Sequence, residues 1–286
     1  MSRIAYVNGR YVPHAQAAVH VEDRGYQFAD GVYEVCAIVA GRMIDEDAHL
    51  DRLDRSLSEL RIPAPMGRAA LKAVMREVVR RNRLADGLVY MQVTRGVARR
   101  DHPFPKGVKP ALVITAKALS PAKLDAGAEA GVGVRTMADI RWGRCDIKTV
   151  GLLPNVLAKQ AAREAGAYEA WLVDSEGNVT EGSSTNAWIV DGDGTLVTRP
   201  LANDILAGVT RRTLIATAKA AGIPVVERAF TVEEAKRARE AFITSATAYV
   251  TPVVRIDDCV VGNGKPGSVA LRLRALYLET VRGDAA

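Results

Sequence analysis

The residue of this sequence with the clearest potential for chemistry is Lys148. The run before it contains Trp142 and Cys145, and Val150 and Leu152 follow, so the amine has apolar neighbours in the sequence. Burial among apolar side chains favours the neutral form of a lysine, and a neutral amine can attack a carbonyl or carry a proton. The stretch is also typical of a surface lysine whose stem lies on apolar residues while its head stays in water. Lys148 alone leaves both interpretations open.

A carboxylate precedes a series of hydrogen-bonding residues at positions 181–186. The sequence there is Glu-Gly-Ser-Ser-Thr-Asn. Such a run can direct side-chain and backbone donors at a polar ligand, with Glu181 as a charged acceptor. Turns between strands favour the same residue types, so an ordinary polar turn is the alternative interpretation.

Two segments rich in small residues could bind a phosphate. Gly208 precedes a predicted helix, so the amides of Val209 and Thr210 would be donors at its positive end, where glycine permits a close approach. Nearly every helix start has such amides, so an ordinary helix N-terminus remains the alternative. The small-residue turn at 245–247 gives the phosphate interpretation more weight.

A cationic pair could bind a carboxylate. Arg100 and His102 are two residues apart, so on an extended segment they point the same way, although a solvated basic loop has the same pattern. Tyr33 lies in a predicted strand, where it would face either the core or a ligand. Arg52 shares a predicted helix with two aspartates and would by itself be a surface ion-pair residue.

Composition limits the classes of protein to which the chain can belong. Its 286 residues, 48% hydrophobic and 25% charged, are typical of an ordinary globular protein, and no apolar run is long enough for a transmembrane helix. The three cysteines, odd in number and far apart, fit neither a disulfide framework nor a metal site. We therefore expect a cytoplasmic protein without a metal. The net charge of +6 is spread along the chain and only 5% of residues are aromatic, which argues against nucleic acid binding and favours a site for anions.

The order of predicted elements indicates two domains. Asn8-Gly9 predicts a β-hairpin, and alternating strands and helices continue to about residue 118. Residues 119–127 lack clear periodicity and contain proline and glycine, so we interpret them as a linker. Residues 128–286 then form a larger, strand-rich domain, which in this interpretation carries Lys148. Ser268 is predicted to cap the last helix.

A reactive lysine, a phosphate site, a positioned carboxylate and a carboxylate-binding pair are together the components of a pyridoxal-phosphate enzyme that acts on amino acids. The sequence resembles the D-amino acid aminotransferases of the fold-type IV pyridoxal-phosphate family over nearly its whole length. The matching runs are residues 23–34, 49–53, 92–102, 145–148, 155–159 and 180–186.

The resemblance implies an α+β fold, with a small N-terminal α/β domain and a larger C-terminal domain built on a β-barrel-like core flanked by helices. It implies that Lys148 binds pyridoxal 5'-phosphate as a Schiff base and afterwards moves the substrate proton, and that Glu181 keeps the pyridine nitrogen protonated. Further cofactor contacts are implied for Arg52, Ser183, Leu206, Val209, Thr210, Ser245 and Ala246.

Tyr33, Arg100 and His102 match the family's carboxylate trap, and the family implies a homodimer in which the last two residues reach in from the neighbouring subunit. One position departs from the family: Ala246 stands where relatives usually carry a threonine whose hydroxyl contacts the phosphate.

The resemblance predicts transamination between a D-amino acid, such as D-alanine or D-glutamate, and a 2-oxo acid such as 2-oxoglutarate. A branched-chain L-amino acid aminotransferase and an aminodeoxychorismate lyase are alternatives on the same fold. A basic nucleic-acid-binding protein on a catalytically idle scaffold is the alternative from another class.

Overall fold

The computed structural model describes residues 3–282, which form two compact units. The first comprises the chain through Ser120 together with Ile147–Gly151, and the second comprises Pro121–Asp146 and the chain from Leu152 onward. None of the described helices is both long and apolar enough to cross a membrane. The three cysteines, all within the described chain, are unbridged.

The first unit is a six-stranded antiparallel sheet with helices packed on it. Its strands are β1 (Ile4–Val7), β2 (Arg10–Pro13), β3 (Gly31–Val39), β4 (Arg42–Met43), β5 (Gly87–Thr94) and β6 (Ala111–Ala118), in the order β2-β1-β6-β5-β3-β4. Its helices are α1 (Arg24–Phe28), α2 (Glu46–Glu59) and α3 (Arg68–Asn82), with a 3-10 turn at His14–Gln16. The hairpin predicted from Asn8-Gly9 is the β1–β2 pair.

Leucines at helical spacing explain how α2 packs. Leu50, Leu53 and Leu57 are buried along one face of the helix, in the same cluster as Val32 and Ile38 of β3. Because β3 alternates side chains between its faces, its even-numbered positions face this cluster. The packing of these two apolar faces therefore determines how α2 lies against β3.

A five-residue segment around Lys148 belongs to the first unit. The Tyr33 amide donates to the Lys148 carbonyl at 3.0 Å, the Val150 amide donates to the Gly31 carbonyl at 3.1 Å, and Ile147 is buried in the first unit's core. The sequence placed Lys148 in the C-terminal domain. The structure differs because backbone pairing with β3, more than 100 residues earlier in the chain, determines where the segment packs.

The second unit is a mixed nine-stranded sheet with helices. It begins with α4 (Pro121–Ala130), β7 (Val132–Ala138), α5 (Leu153–Glu164), β8 (Glu169–Val173), β9 (Val179–Gly182), β10 (Asn186–Val190), β11 (Leu196–Thr198) and α6 (Val209–Ala220). It ends with β12 (Val225–Glu227), α7 (Val232–Arg237), β13 (Glu240–Ser245), β14 (Tyr249–Ile256), β15 (Cys259–Val260) and α8 (Ser268–Arg282).

The topology of this sheet forces it to curl. The strand order is β12-β11-β10-β13-β14-β7-β8-β9, with β15 also paired to β14. Strands β9 and β10 are far apart in that order, yet only residues 183–185 connect them. A connection this short brings the β9 edge round towards β10, which produces the predicted barrel-like core.

The predicted linker is in fact part of a helix. Helix α4 covers most of residues 119–127 and begins with Pro121, a residue that suits the first turn of a helix. Gly127 inside the helix costs about 1 kcal/mol relative to alanine, which weakens the sequence signal. Burial of Ala128 and an ion pair between Asp125 and Arg274 of α8 fix α4 within the second unit.

A buried ion cluster joins α2 to β3. Glu34 is fully buried, and its carboxylate accepts hydrogen bonds from Arg52 at 2.7 and 2.9 Å and lies 2.8 Å from Nδ1 of His49. Burial alone would raise the pKa of Glu34, but the charge and hydrogen bonds of Arg52, with those of His49, lower it to about 2. Glu34 therefore stabilises the fold as an anion, and this contribution is lost as the pH falls from about 4.5 towards about 2.

We predict that Glu34→Gln lowers the free energy of unfolding at pH 7 by about 3–5 kcal/mol, because it leaves the Arg52 charge buried without its partner. The deficit should shrink as the pH falls below about 4.5, where the wild-type protein loses the same contribution. Urea unfolding of cofactor-free protein at pH 7, 5 and 3 measures both effects.

Glu77→Gln is the matched control. Arg80 and Arg81 also lower the pKa of Glu77 to about 2, but this carboxylate lies on the surface of α3. Solvent screens exposed pairs, so the control should change stability little. Equal losses in the two variants would show that burial does not set the strength of the Glu34 cluster.

The start of α8 is capped by a residue distant in sequence. The Glu240 carboxylate accepts the amides of Val269 and Ala270 at 3.0 and 2.9 Å, and Ser268, the predicted cap, is instead the first residue of the helix. An anion at this position satisfies first-turn donors and complements the helix dipole.

Replacing Glu240 by Gln should therefore lower the free energy of unfolding by about 1–2 kcal/mol. Ser268→Ala, made at the position predicted to be the cap, should cost less. Urea unfolding at pH 7 compares the two variants, and a larger loss in Ser268→Ala would show that the serine is the true cap.

Candidate active site

Lys148 is half-buried and its backbone is held on both sides. Its carbonyl accepts the Tyr33 amide, and its own amide lies 3.4 Å from the Ser56 hydroxyl oxygen. The amine nitrogen lies 4.1 Å from the centre of the Tyr33 ring. Within residues 3–282, no carboxylate forms an ion pair with this amine. The structure therefore presents a positioned lysine whose nitrogen faces an aromatic ring.

Arg100 and His102 lie together, as their spacing predicted. The Arg100 guanidinium lies 4.7 Å from the centre of the Phe28 ring, and the His102 ring lies 5.6 Å from the same ring. Both side chains are exposed. The Arg24 guanidinium donates to the carbonyl oxygen of His102 at 3.3 Å and to that of the preceding Asp101 at 2.6 Å, which fixes the loop backbone. Among the described residues, no ring or ion-pair contact joins either side chain to Tyr33, so their meeting at one carboxylate remains a prediction.

Arg52 is the predicted phosphate ligand whose surroundings differ most from expectation. Two of its nitrogens donate to Glu34, so its charge is matched inside the first unit. A spacing argument on α2 alone made it a surface residue, whereas its side chain is only 10% exposed. Its contact with a phosphate remains a prediction.

Glu181, near the end of β9, is a buried carboxylate with several hydrogen-bond donors around it. It forms an ion pair with Arg141, accepts the Asn186 side-chain amide at 3.0 Å, and accepts the backbone amide of Leu206 at 3.2 Å. The Leu206 amide lies 3.2 Å from both carboxylate oxygens, so each oxygen of Glu181 accepts hydrogen bonds within the second unit. A contact between Glu181 and a ligand nitrogen remains a prediction.

Arg141 forms ion pairs with both Glu181 and Asp139. Two of its nitrogens donate to Asp139 at 2.9 and 2.7 Å, and Thr180 also donates to Asp139. Burial alone would lower the pKa of the Arg141 guanidinium, but the hydrogen bonds with Asp139 and the charges of Glu181 and Asp139 raise it above its ordinary value. Arg141 therefore places a cation directly beside the Glu181 carboxylate.

Asn186 connects the predicted site residues of the second unit. Its side-chain amide donates to Glu181 and to the Leu206 carbonyl, each at 3.0 Å, and in the sheet it pairs with Thr244 of β13. A Cβ atom at Gly208 would lie 2.0 Å from Oδ1 of Asn186, so only glycine fits there. Asn186 thus holds Glu181 near the start of α6.

Two groups of donors could hold an anion in the second unit. At the start of α6 the N-cap Gly208 provides no capping side chain, so the Val209 and Thr210 amides have no acceptor within the helix. In the turn between β13 and β14, the amides of Ala246 and Thr247 have no acceptor among the described residues. The Ser245 hydroxyl accepts the Ala248 amide at 3.1 Å and keeps its own proton to donate.

Ser183 has a different environment from the other predicted contacts. Its hydroxyl donates to the buried carboxylate of Glu169, which also accepts from Ser184 and pairs with Lys159. The side chain therefore supports the turn that follows Glu181. A direct contact between Ser183 and a cofactor remains a prediction.

The residues fit the cofactor that the resemblance implies. Pyridoxal phosphate requires an amine for its aldehyde, an acceptor for its protonated ring nitrogen and donors for its phosphate. Lys148 provides the amine, Glu181 provides a carboxylate, and the start of α6 and the β13–β14 turn provide amide donors.

Sequence reasoning missed several residues that the structure brings to these groups. They are Glu34, His49, Asp139, Arg141 and Asn186. Each lies within or beside a motif already singled out, so its position was visible. Its role was not, because that role depends on partners up to 63 residues away.

Proteins similar to this chain over nearly its whole length are known. The family model "Amino-transferase class IV" matches residues 31–256. The chain is 39% identical over 279 residues to a D-alanine aminotransferase of Bacillus licheniformis, covering 98% of this chain and 97% of that protein. It is 41% identical over 271 residues to a D-alanine aminotransferase of Staphylococcus haemolyticus, covering 94% of each.

Solved structures give the same fold. The branched-chain amino acid aminotransferase of Escherichia coli superposes with a TM-score of 0.92 at 25% identity, covering 100% of this chain and 97% of that one. The T.th. branched-chain amino acid aminotransferase with pyridoxamine 5'-phosphate superposes with a TM-score of 0.91 at 29% identity, covering 99% and 95%. The predicted fold class is confirmed.

The family model spans most of the chain, and the D-alanine aminotransferase relatives match it from end to end. Together with the positioned lysine and the supported carboxylate, these matches lead to one conclusion: the chain belongs to the amino-transferase class IV family.

Proposed function

We propose that this chain is a pyridoxal-phosphate-dependent aminotransferase that moves the amino group between a D-amino acid, such as D-alanine or D-glutamate, and a 2-oxo acid such as 2-oxoglutarate. The observation that carries the proposal is Lys148, a lysine with a fixed backbone and no acidic partner among the described residues. Relatives named D-alanine aminotransferase, 39–41% identical over nearly the full chain, support the D-amino acid substrate.

Each proposed residue has a separate task. Lys148 would hold the cofactor through its aldehyde, and its amine would move the proton at the substrate Cα. Glu181, which forms an ion pair with Arg141, would hold the protonated ring nitrogen. The bound cofactor supplies an electron-withdrawing ring that stabilises the carbanion left at Cα. The amides of Val209 and Thr210, with the β13–β14 turn, bind the phosphate and hold the ring in register.

Tyr33, Arg100 and His102 are proposed to bind the substrate carboxylate. Cationic side chains bind a carboxylate through charge-assisted hydrogen bonds. The exposure of Arg100 and His102, beside the exposed Phe104, fits a loop that is covered by a second copy of the chain. A homodimer in which this loop reaches the partner's site is part of the proposal.

A second candidate function is transamination of branched-chain L-amino acids on the same fold. The fold similarity to branched-chain amino acid aminotransferases favours it, at 25–29% identity for the two structures described above. The enantiomer of the amino acid that reacts, D or L, therefore distinguishes the two candidate functions.

The half-reaction is the decisive experiment. D-alanine added to the holoenzyme should convert the cofactor to its amine form, followed by absorbance, whereas L-leucine should not. Lys148→Ala should slow this conversion by about 10²–10⁴-fold, because positioned proton transfer contributes that much to a rate. Borohydride treatment and peptide mapping should find the cofactor on Lys148.

Lys219→Ala, which removes an exposed lysine of α6, is the control and should react like the wild type. Conversion by L-leucine alone would overturn the D-amino acid proposal and leave the aminotransferase proposal intact. A reduced cofactor on any other lysine would overturn the role of Lys148.

Ala246 provides a second prediction. Ala246→Thr should restore a hydroxyl donor to the β13–β14 turn and tighten cofactor binding by up to about 1.5–3 kcal/mol, the value of a hydrogen bond to a charged group. Cofactor retention during dialysis measures the change. Ala246→Val matches the shape of threonine without its hydroxyl and should show no gain, so equal retention in both variants would contradict the hydrogen-bond explanation.

A further inference from the structure

A buried arginine holds the turn between β13 and β14. Arg274 of α8 is 6% exposed, and its Nη1 donates to the carbonyl oxygens of Ala248 and Val250 at 3.1 and 2.9 Å. These two carbonyls flank Tyr249, where β14 begins. The guanidinium thus fixes the backbone on the side of the turn that leads into the strand.

The same backbone is strained. Tyr249 has a φ of 57°, a left-handed conformation that is rare for a bulky residue and persists only where the surroundings impose it. The Thr251 hydroxyl donates to the Ala248 carbonyl at 3.0 Å, and the Tyr249 ring packs on Tyr277 of α8 with ring centres 5.7 Å apart. Helix α8 therefore contributes both a cation and an aromatic ring that hold this conformation.

A second helix orients the arginine. Asp125 of α4 accepts a hydrogen bond from Nη2 of Arg274 at 2.7 Å. Because the guanidinium is planar, a partner on Nη2 sets the direction in which Nη1 donates. Asp125 is half-exposed, so the pair can be altered from the surface without opening the core.

The donors of the turn lie immediately before the fixed backbone. They are the Ser245 hydroxyl and the amides of Ala246 and Thr247, which the described residues leave without acceptors. Small displacements matter here, because a hydrogen bond requires an N···O distance of about 2.7–3.2 Å and a nearly linear donor. Fixing Ala248 and Tyr249 therefore fixes the direction of the amides that precede them.

We propose that Arg274 is a positioning residue for phosphate recognition: it holds the β13–β14 turn so that its donors face the phosphate of the cofactor. The inference rests on the function proposed above, in which this turn binds that phosphate. Arg274 itself does not contact the cofactor in this account. Its effect should be specific to ligands that carry the phosphate.

The test compares two forms of vitamin B6. Dissociation constants of pyridoxal 5'-phosphate and of pyridoxal, which lacks the phosphate, are measured on cofactor-free protein by fluorescence titration. Arg274→Ala should weaken binding of the phosphorylated form by about 10–100-fold, as expected when hydrogen bonds to a charged group are misaligned. Binding of pyridoxal should change less than about twofold, and Arg274→Lys, which keeps a cation, should lie between the wild type and Arg274→Ala.

If Arg274→Ala does not fold, Asp125→Asn provides a second test of the same proposal. It weakens only the orienting contact, and we expect a loss of about 2–10-fold for pyridoxal phosphate and little change for pyridoxal. Glu240→Gln is the control for general loosening of α8, because it removes the helix cap and leaves the turn contacts in place. It should leave both dissociation constants near their wild-type values.

The outcomes separate the two proposals. Equal weakening of both ligands in the Arg274 and Asp125 variants, or unchanged binding of the phosphorylated form, would overturn the role of Arg274. If wild-type protein binds pyridoxal phosphate no more tightly than pyridoxal, the turn is not a phosphate site and the present inference fails. Reduction by borohydride at Lys148 would still test the proposed function independently.

Discussion

The pairing of the Lys148 segment with the start of β3 is the interaction on which the candidate chemistry depends. Two backbone hydrogen bonds, from Tyr33 to Lys148 and from Val150 to Gly31, bring a five-residue segment into the first unit while the chain on either side belongs to the second. They also place Lys148 beside Tyr33, and its amine nitrogen lies 4.1 Å from the centre of that ring. Because main-chain atoms make these bonds, the position of the Lys148 backbone does not depend on which side chains surround it.

Each unit buries a carboxylate that is paired with a cation. Glu34 is matched by Arg52, and Glu181 is matched by Arg141, which Asp139 supports in turn. A buried carboxylate without a cation or hydrogen-bond donors would favour its protonated form. The two clusters differ in what they connect. The Glu34 cluster joins β3 to α2, whereas the Glu181 cluster joins β9 to the segments that carry Arg141 and Leu206.

Local patterns predicted the elements well and their partners poorly. Asn8-Gly9 predicted a hairpin and the α2 leucines predicted a buried face, because both signals lie within a few residues of the structure they specify. The helix at residues 121–130 was missed, since its stability comes from contacts such as Asp125 with Arg274, 149 residues away. Arg52 and Ser268 show the same limit. Each has the expected position in the chain, but Glu34 determines the environment of Arg52, and Glu240 performs the capping expected of Ser268.

The composition of the β13–β14 turn explains why it depends on distant support. In the phosphate-binding role proposed for this turn, a side-chain donor could rotate to reach the ligand, but Ala246, at the centre of the turn, has none. Backbone amides cannot rotate independently, so the direction of each N–H bond is set by the φ and ψ angles of the turn itself. One of those angles, at Tyr249, lies in a strained region and would relax if it were not held. A turn built mainly from amides therefore requires a rigid frame, and here Arg274 and Tyr277 of α8 provide that frame from outside the sheet.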